Sequence, residues 1–320
     1  MFLTVTPNPC IEKTVTLPKL TPGAVHRIAP GEVTVSAGGK GLNAARVATR
    51  CGCRTVALSW VGRRQREWMD GLLDAEGVEH EFVLTGCNTR STYNLLGHGT
   101  KTEIIEEGEP LTLADGTAML EAFARWLPQA KLVAICGSYP PAREPIFHRH
   151  AGLLCGMARR AGVPVIYDGK GPAFELAVRS ATPPWMIKPN LEEAETLLRR
   201  EIRTPAGELA AVRDLLRTGA RVVVLSCGER GAYLGHPGGI EWLASPAVPE
   251  ISGVGSGDAL VGAFAARFLE SGDLLGAIRY GVAAGAANAA ERLPAFVGPE
   301  EIDPLLPLVR QSTLQLALGQ

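Results

Sequence analysis

Between Ser252 and Phe264 three glycines recur at alternate positions, Gly253, Gly255 and Gly257, followed at once by Asp258 and an apolar run of helical character. The glycines let the backbone take positive φ and approach a ligand closely, and the helix opening behind them turns unpaired N–H groups toward the loop. Such a mouth binds phosphate. A carboxylate there would repel the phosphate unless it has chemistry to do. In phosphoryl transfer to an alcohol, an Asp between the acceptor hydroxyl and the anion hole accepts the hydroxyl proton as the new bond forms. Asp258 is therefore read as a candidate general base. The same residues also read as an ordinary helix N-cap, and the segment alone does not separate the two.

A second glycine cluster spans Ser36 to Ala48, with Gly38, Gly39, Lys40, Gly41 and Asn43 ahead of an apolar face formed by Leu42, Ala45, Val47 and Ala48. It is not a Walker A loop, because it lacks the four-residue spacer and the Ser or Thr after Lys40. The glycine spacing also fails the dinucleotide fingerprint at both clusters. Further polar marks follow apolar strands: Gly137-Ser138, Asp168-Gly169, Lys188-Pro189-Asn190 and Ser226-Cys227-Gly228. In α/β folds, ligands sit outside the carboxyl ends of the strands, where these marks fall.

The elements that must hold these groups alternate along the chain. An opening strand ends near Thr6. Thr14 to Leu17 and Val25 to Ile28 read as an antiparallel pair turned at Pro22-Gly23, and Thr89 to Leu96 pairs with Lys101 to Glu107 through Gly97-His98-Gly99. These polar-apolar alternations form a small separate sheet. From Leu113 onward helix and strand take turns, with strands at Leu132 to Cys136, Val163 to Tyr167, Trp185 to Ile187 and Arg221 to Ser226. That rhythm implies a parallel sheet covered by helices on both faces. The chain closes with a helix from Leu274 to Ala290 and another from Pro299 to about Arg310.

Composition narrows the function classes. With 320 residues, 46% hydrophobic content and a net charge of −1, the chain can bury a large core and offers no electrostatic reason to bind nucleic acid or an anionic membrane. The N-terminus reads as strand and turn rather than as a signal peptide, and no apolar run approaches the roughly 20 residues that span a bilayer. Seven cysteines without a CxxC pair suggest buried thiols in a reducing cytoplasm.

With both glycine clusters, the Lys188–Glu193 run and the Gly137–Pro141 run in view, the sequence resembles the ribokinase-like (PfkB) carbohydrate kinases over nearly its whole length. It is most similar to their 1-phosphofructokinase and tagatose-6-phosphate kinase branch. The resemblance implies a Rossmann-like three-layer α/β sandwich with a mainly parallel central sheet and a small β-sheet lid. Residues 1–11, 37–84 and 109–320 would form the nucleotide-binding core, and 12–36 and 85–108 the lid over the sugar. It also implies ATP as donor, Mg²⁺ as helper and a homodimer formed through the lid.

Under that resemblance Asp258 matches the catalytic base, and Gly255, Ser256 and Gly257 the anion hole. Asn190 and Glu193 match a motif that arranges Mg²⁺, through water, and the ATP phosphates. Lys188, Ser226, Gly228 and Gly231 fall where the nucleotide lies, and Asn288 on a helix that borders the adenine. Gly38, Gly39, Lys40, Asn43 and Ser138 match the sugar side. Arg90 stands where the branch binds the acceptor's existing phosphate, which suits its planar fork, and Arg27 and Lys40 are further candidates for that cluster. The implied reaction is phosphorylation of a sugar phosphate, fructose 1-phosphate first, with fructose 6-phosphate or tagatose 6-phosphate behind it. An unphosphorylated sugar or nucleoside, or a sensor without turnover, are the alternatives. Three residues depart from the family pattern: Glu12 where Asp is usual, Tyr139 for Leu, and Lys170 in place of a Ser-containing run. All three bear on the acceptor.

Overall fold

Alternate residues of the buried strands point into two different apolar clusters, which is why those strands are apolar throughout rather than every second residue. Leu3, Val133, Ile135 and Tyr167 join one cluster, while Phe2, Leu132, Ala134 and Ile166 join the other. The computed structural model describes residues 1–97, 100–141 and 144–314.

In chain order, β1 is Phe2–Thr6, β2 Cys10–Thr16, β3 Val33–Gly38, α1 Lys40–Arg50, β4 Thr55–Gly62, α2 Arg66–Ala75, β5 Glu79–Thr85, β6 Arg90–Gly97 and β7 Thr100–Ile105. There follow α3 Leu113–Trp126, β8 Leu132–Cys136, α4 His150–Arg160, β9 Val165–Asp168, α5 Pro172–Val178, β10 Met186–Ile187, α6 Leu191–Leu198 and α7 Pro205–Leu216. The last part contains β11 Val222–Ser226, β12 Gly231–His236, β13 Gly239–Ala244, α8 Ser256–Ser271, α9 Leu274–Ala289, α10 Pro299–Ile302 and β14 Arg310–Leu314.

Ten strands form one sheet in the order β14-β13-β12-β11-β10-β9-β8-β1-β4-β5, parallel from β11 to β5 and antiparallel from β11 to β14. Helices α1, α8 and α9 cover one face, and α3 to α7 the other. A second sheet has the order β3-β2-β6-β7. The fold is thus the expected α/β class, with a mostly parallel large sheet and a smaller separate one.

Helices α1 and α8 cross closely because Gly262 has no side chain: a Cβ there would stand 2.3 Å from the Ala44 carbonyl oxygen. Their N-termini, Lys40 on one and Ser256 on the other, bring the two glycine clusters together. This packing decides where the chemistry sits.

Two expectations are corrected and one element was missed. Val25 to Ile28 is not the partner of β2; it is coil in which Val25 is 86% exposed and buries nothing, and Val33–Gly38 pairs with β2 instead. The helix begun at Pro299 ends at Ile302, since Pro304 and Pro307 cannot donate backbone hydrogen bonds, and Arg310–Leu314 runs as an edge strand along β13. The hairpin of β12 and β13, absent from the sequence reading, is turned by the residues around Pro237-Gly238, a signal that was present. His98 and Gly99, expected in the lid hairpin turn, lie outside the described residues.

Candidate active site

Strand β9 ends in Asp168, whose buried carboxylate is the electrostatic centre of the site. Lys40 Nζ lies 2.9 Å from its Oδ1, Lys188 Nζ 3.2 Å from its Oδ2, and Lys40 also reaches Glu193 Oε1 at 3.3 Å. Burial alone would raise the pKa of Asp168, but the two ammonium groups hold it below the usual carboxylate value. Burial likewise opposes the charge of Lys40, yet Asp168 and Glu193 outweigh it and keep this lysine protonated beyond its ordinary range.

Asp258 occupies the first turn of α8 and is 7% exposed. Asn43, on α1, donates from Nδ2 to Asp258 Oδ2 at 2.8 Å. Burial pushes the Asp258 carboxyl up to about 7; the Asp168 charge adds to the rise, while Lys40, Asn43 and Lys188 restrain it. A carboxyl that titrates near neutrality is matched to work as a general base.

The loop ahead of α8 is held from behind. Gly255 sits in the left-handed region at φ 80°, and a Cβ there would come within 2.9 Å of the Pro294 side chain. Asn288 donates to Val254 O at 2.7 Å and to Ser256 Oγ at 3.0 Å, and accepts from the Ala295 N–H at 2.6 Å. At 1% exposure its amide is committed to bracing this loop. Expected beside the adenine, Asn288 thus has its polar atoms turned to the glycine loop. Gly257 leaves room for Lys188, whose Nζ would be 3.0 Å from a Cβ at that position.

Asn190 and Glu193 form a reciprocal cap at the start of α6: Glu193 N–H donates to Asn190 Oδ1 at 2.8 Å, and Asn190 N–H to Glu193 Oε2 at 2.9 Å. Ser226 pairs with Asn190 through an isolated bridge, and Gly228 and Gly231 bound the short turn that follows. A cavity of about 500 Å³ opens beside these residues, lined among others by Asn8, Ser138, Lys170, Asn190 and Glu193. Asp258 and the glycine loop are not in its wall.

In the smaller sheet, Glu12 is 5% exposed and accepts from Asn94 Nδ2 at 2.8 Å through Oε1, while its buried Oε2 has no partner among the described residues. Burial raises its pKa. Arg90 donates to Glu106 O at 3.2 Å and Asn8 O at 3.1 Å, while its buried Nε has no partner among the described residues. Cys10 feels the charges of Glu12, Arg90 and Asp258 together, so side chains of the smaller sheet lie near Asp258. Gly38 has Glu12 close against it, at 2.7 Å from where a Cβ would be, and Gly39 turns the chain into α1. Arg27 is not brought into this group: it is exposed on the coil and has no hydrogen-bond or ion-pair partner among the described residues.

The charge network also contains residues to which the sequence reading assigned no role. Asp168 was visible only as a strand end, although a carboxylate closing an otherwise apolar strand is itself a signal. Asn94 and Arg46 gave no local signal. The set fits a phosphate-bearing donor, with two buried or half-buried lysines and a helix N-terminus facing one locus. For Mg²⁺ the donors suit a hydrated ion: both Glu193 oxygens already accept hydrogen bonds, and no group of three or more His, Cys, Asp or Glu side chains that could hold a metal gathers among the described residues.

Solved structures of known proteins share this fold. A possible 1-phosphofructokinase from Thermotoga maritima superposes with a TM-score of 0.90 at 22% identity, covering 98% of this chain and 99% of that one. Phosphofructokinase-2 from Escherichia coli is similar in its potassium complex (TM-score 0.86, 24% identity, 96% and 98% covered) and in its tetrameric inhibited form (0.84, 24%, 96% and 98%). At these identities the structures establish the fold. Residues 6–299 match the description "pfkB family carbohydrate kinase", and the chain belongs to that family of sugar kinases.

Proposed function

We propose that this kinase transfers the terminal phosphoryl group of ATP to a hydroxymethyl group of a sugar phosphate, fructose 1-phosphate before fructose 6-phosphate or tagatose 6-phosphate. The observation that carries the proposal is Asp258, buried at the mouth of α8, titrating near neutrality and aligned by Asn43. The names of the similar structures, 1-phosphofructokinase and phosphofructokinase-2, support a fructose phosphate as acceptor.

In this reading the acceptor lies between lid and core. Arg90 takes its phosphate through the guanidinium, whose planar fork suits that anion, and Glu12 with Asn43 orients its hydroxyls. Asp258 then removes the proton of the attacking hydroxyl, while the backbone N–H groups of Gly255, Ser256 and Gly257 receive charge developing on the transferred group. Lys40 and Lys188 set a positive field at the strand ends. Mg²⁺, held through water by Asn190 and Glu193, would neutralise phosphate charge when bound. The lid excludes water from the pair of substrates. Exposed Val25, Ile104 and Ile105 on the lid side support a homodimer there, which light scattering would test.

A coupled ADP-release assay over a panel of sugars and sugar phosphates tests the reading. Turnover should be highest on a ketohexose phosphate, and Arg90→Ala should raise the acceptor KM. Preference for an unphosphorylated sugar, with that KM unmoved in Arg90→Ala, would overturn the phosphate assignment.

A further inference from the structure

Arg46 is the largest fully buried side chain among the described residues, and it lies one helical turn beyond Asn43 on α1. Its Nη1 donates to Asn43 Oδ1 at 2.7 Å, and its Nη2 to Ala37 O at 2.6 Å, just ahead of Gly38. Nη1 also points at Pro294 O, 3.5 Å away, in the segment that backs Gly255. Glu76 balances the charge, 2.7 Å from Nε and 3.3 Å from Nη2, and the Phe296 ring covers the guanidinium at 4.4 Å. One planar fork therefore touches the sugar-side strand, the base's partner and the support of the anion hole.

The arrangement has a chemical consequence at Asn43. An asparagine amide can present either its oxygen or its nitrogen to a neighbour. A guanidinium has only donors, so Asn43 must turn its oxygen to Arg46 and its N–H to Asp258. We infer that Arg46 is a positioning residue for phosphoryl transfer: it holds the Asn43 amide in the one orientation that donates to the base. Stability alone is a weak reason for such a group, since a buried ion pair rarely outperforms an apolar pair of similar volume.

The inference rests on Asp258 acting as the base, and it predicts how that base titrates. Besides Asn43, the groups facing Asp258 are Lys40 from α1, Lys188 and Asp168 from the strand ends, and the thiols of Cys10 and Cys136. None of these touches Arg46. Arg46→Lys keeps the charge and removes the fork. Without a fixed donor, the Asp258 carboxyl should titrate higher, so the acid limb of kcat/KM should move up by about one pH unit, a tenfold loss of rate below the limb. Nucleotide affinity should stay within about twofold, since Arg46 touches no phosphate-binding donor.

The decisive comparison is a double-mutant cycle of Arg46→Lys with Asn43→Ala. If Arg46 acts through Asn43, adding Arg46→Lys to Asn43→Ala costs nothing further; fully additive losses would overturn the inference. Should Arg46→Lys fail to fold, Glu76→Gln loosens the same fork from its outer end, and an unmoved acid limb there would count equally against it. Carbon-13 NMR titration of Asp258 in wild type and variant reads the same shift without turnover. A wild type inactive on every acceptor would sink the kinase reading, whereas an unmoved Asp258 titration in the variant would sink this one.

Discussion

The mouth of α8 and the smaller sheet both lie near Cys10 but are built differently. At the mouth Asp168, Lys188, Asp258, Asn43, Arg46 and Asn288 are all nearly or fully buried, and hydrogen bonds or ion pairs fix them from several elements. On the lid, Arg90 is half-buried, the coil from 21 to 27 is exposed, and Glu12 and Arg90 each retain an unpartnered polar atom. A site that is filled by its own chain has its geometry set before substrate arrives; one with spare donors and acceptors is completed by the ligand. On the proposed function, the reaction class belongs to the mouth and the choice of acceptor to the smaller sheet.

The largest effect that could break this division is at the proposed base. Asp258→Asn should lower kcat by ~10²–10⁴-fold, the usual contribution of a positioned general base, with little change in nucleotide affinity. The same substitution should stabilise the fold above neutrality. A carboxyl whose folded pKa is raised to about 7 loses stability as pH climbs from its unfolded value through 7, and an amide does not. Melting curves of both proteins from pH 5 to pH 9 should therefore diverge with rising pH in favour of the variant, by roughly 1 °C or more once past the limb. An identical pH dependence of the two would deny that Asp258 is buried as a strained acid.

Next in size is Asp168→Asn, which leaves Lys40 and Lys188 without their shared counter-charge. Removing one partner of a buried ion pair costs about 3–5 kcal/mol, read as a lower denaturation midpoint. Since the Asp168 charge raises the Asp258 pKa, its removal should also move the acid limb of the rate profile downward. A limb that stays in place would mean that the two carboxylates are not coupled.

The smallest and most selective effect belongs to the lid. Arg90→Ala should raise the KM for a phosphorylated acceptor by ~10-fold or more, as expected for one lost charge-assisted contact, and change kcat less. An equal fall in kcat would mean that Arg90 belongs to the mouth as much as to the lid, and the division drawn above would blur.

The same contrast explains what could be read from the sequence. Asp258 and the Asn190–Glu193 cap carry their signals within a few residues of themselves, so local spacing was enough to mark them. The Lys40–Asp168 pair joins positions 128 apart, and the Asn43–Asp258 bond positions 215 apart. No spacing rule reaches that far; the close crossing of α1 and α8 at Gly262 creates the second contact. The coil at Val25 to Ile28 misled for the opposite reason, because it follows a Pro-Gly turn as a hairpin strand would, yet Val25, His26 and Arg27 are exposed. The C-terminal strand was hidden by helix-like composition that Pro304 and Pro307 interrupt.

The most direct test of the base is the pH dependence of kcat/KM for the best sugar phosphate, measured in wild type and in Asp258→Asn. An acid limb near pH 7 in the wild type, absent from the residual turnover of the variant, is the predicted result. A wild-type limb near the ordinary carboxylate value, or the same limb surviving in Asp258→Asn, would contradict it.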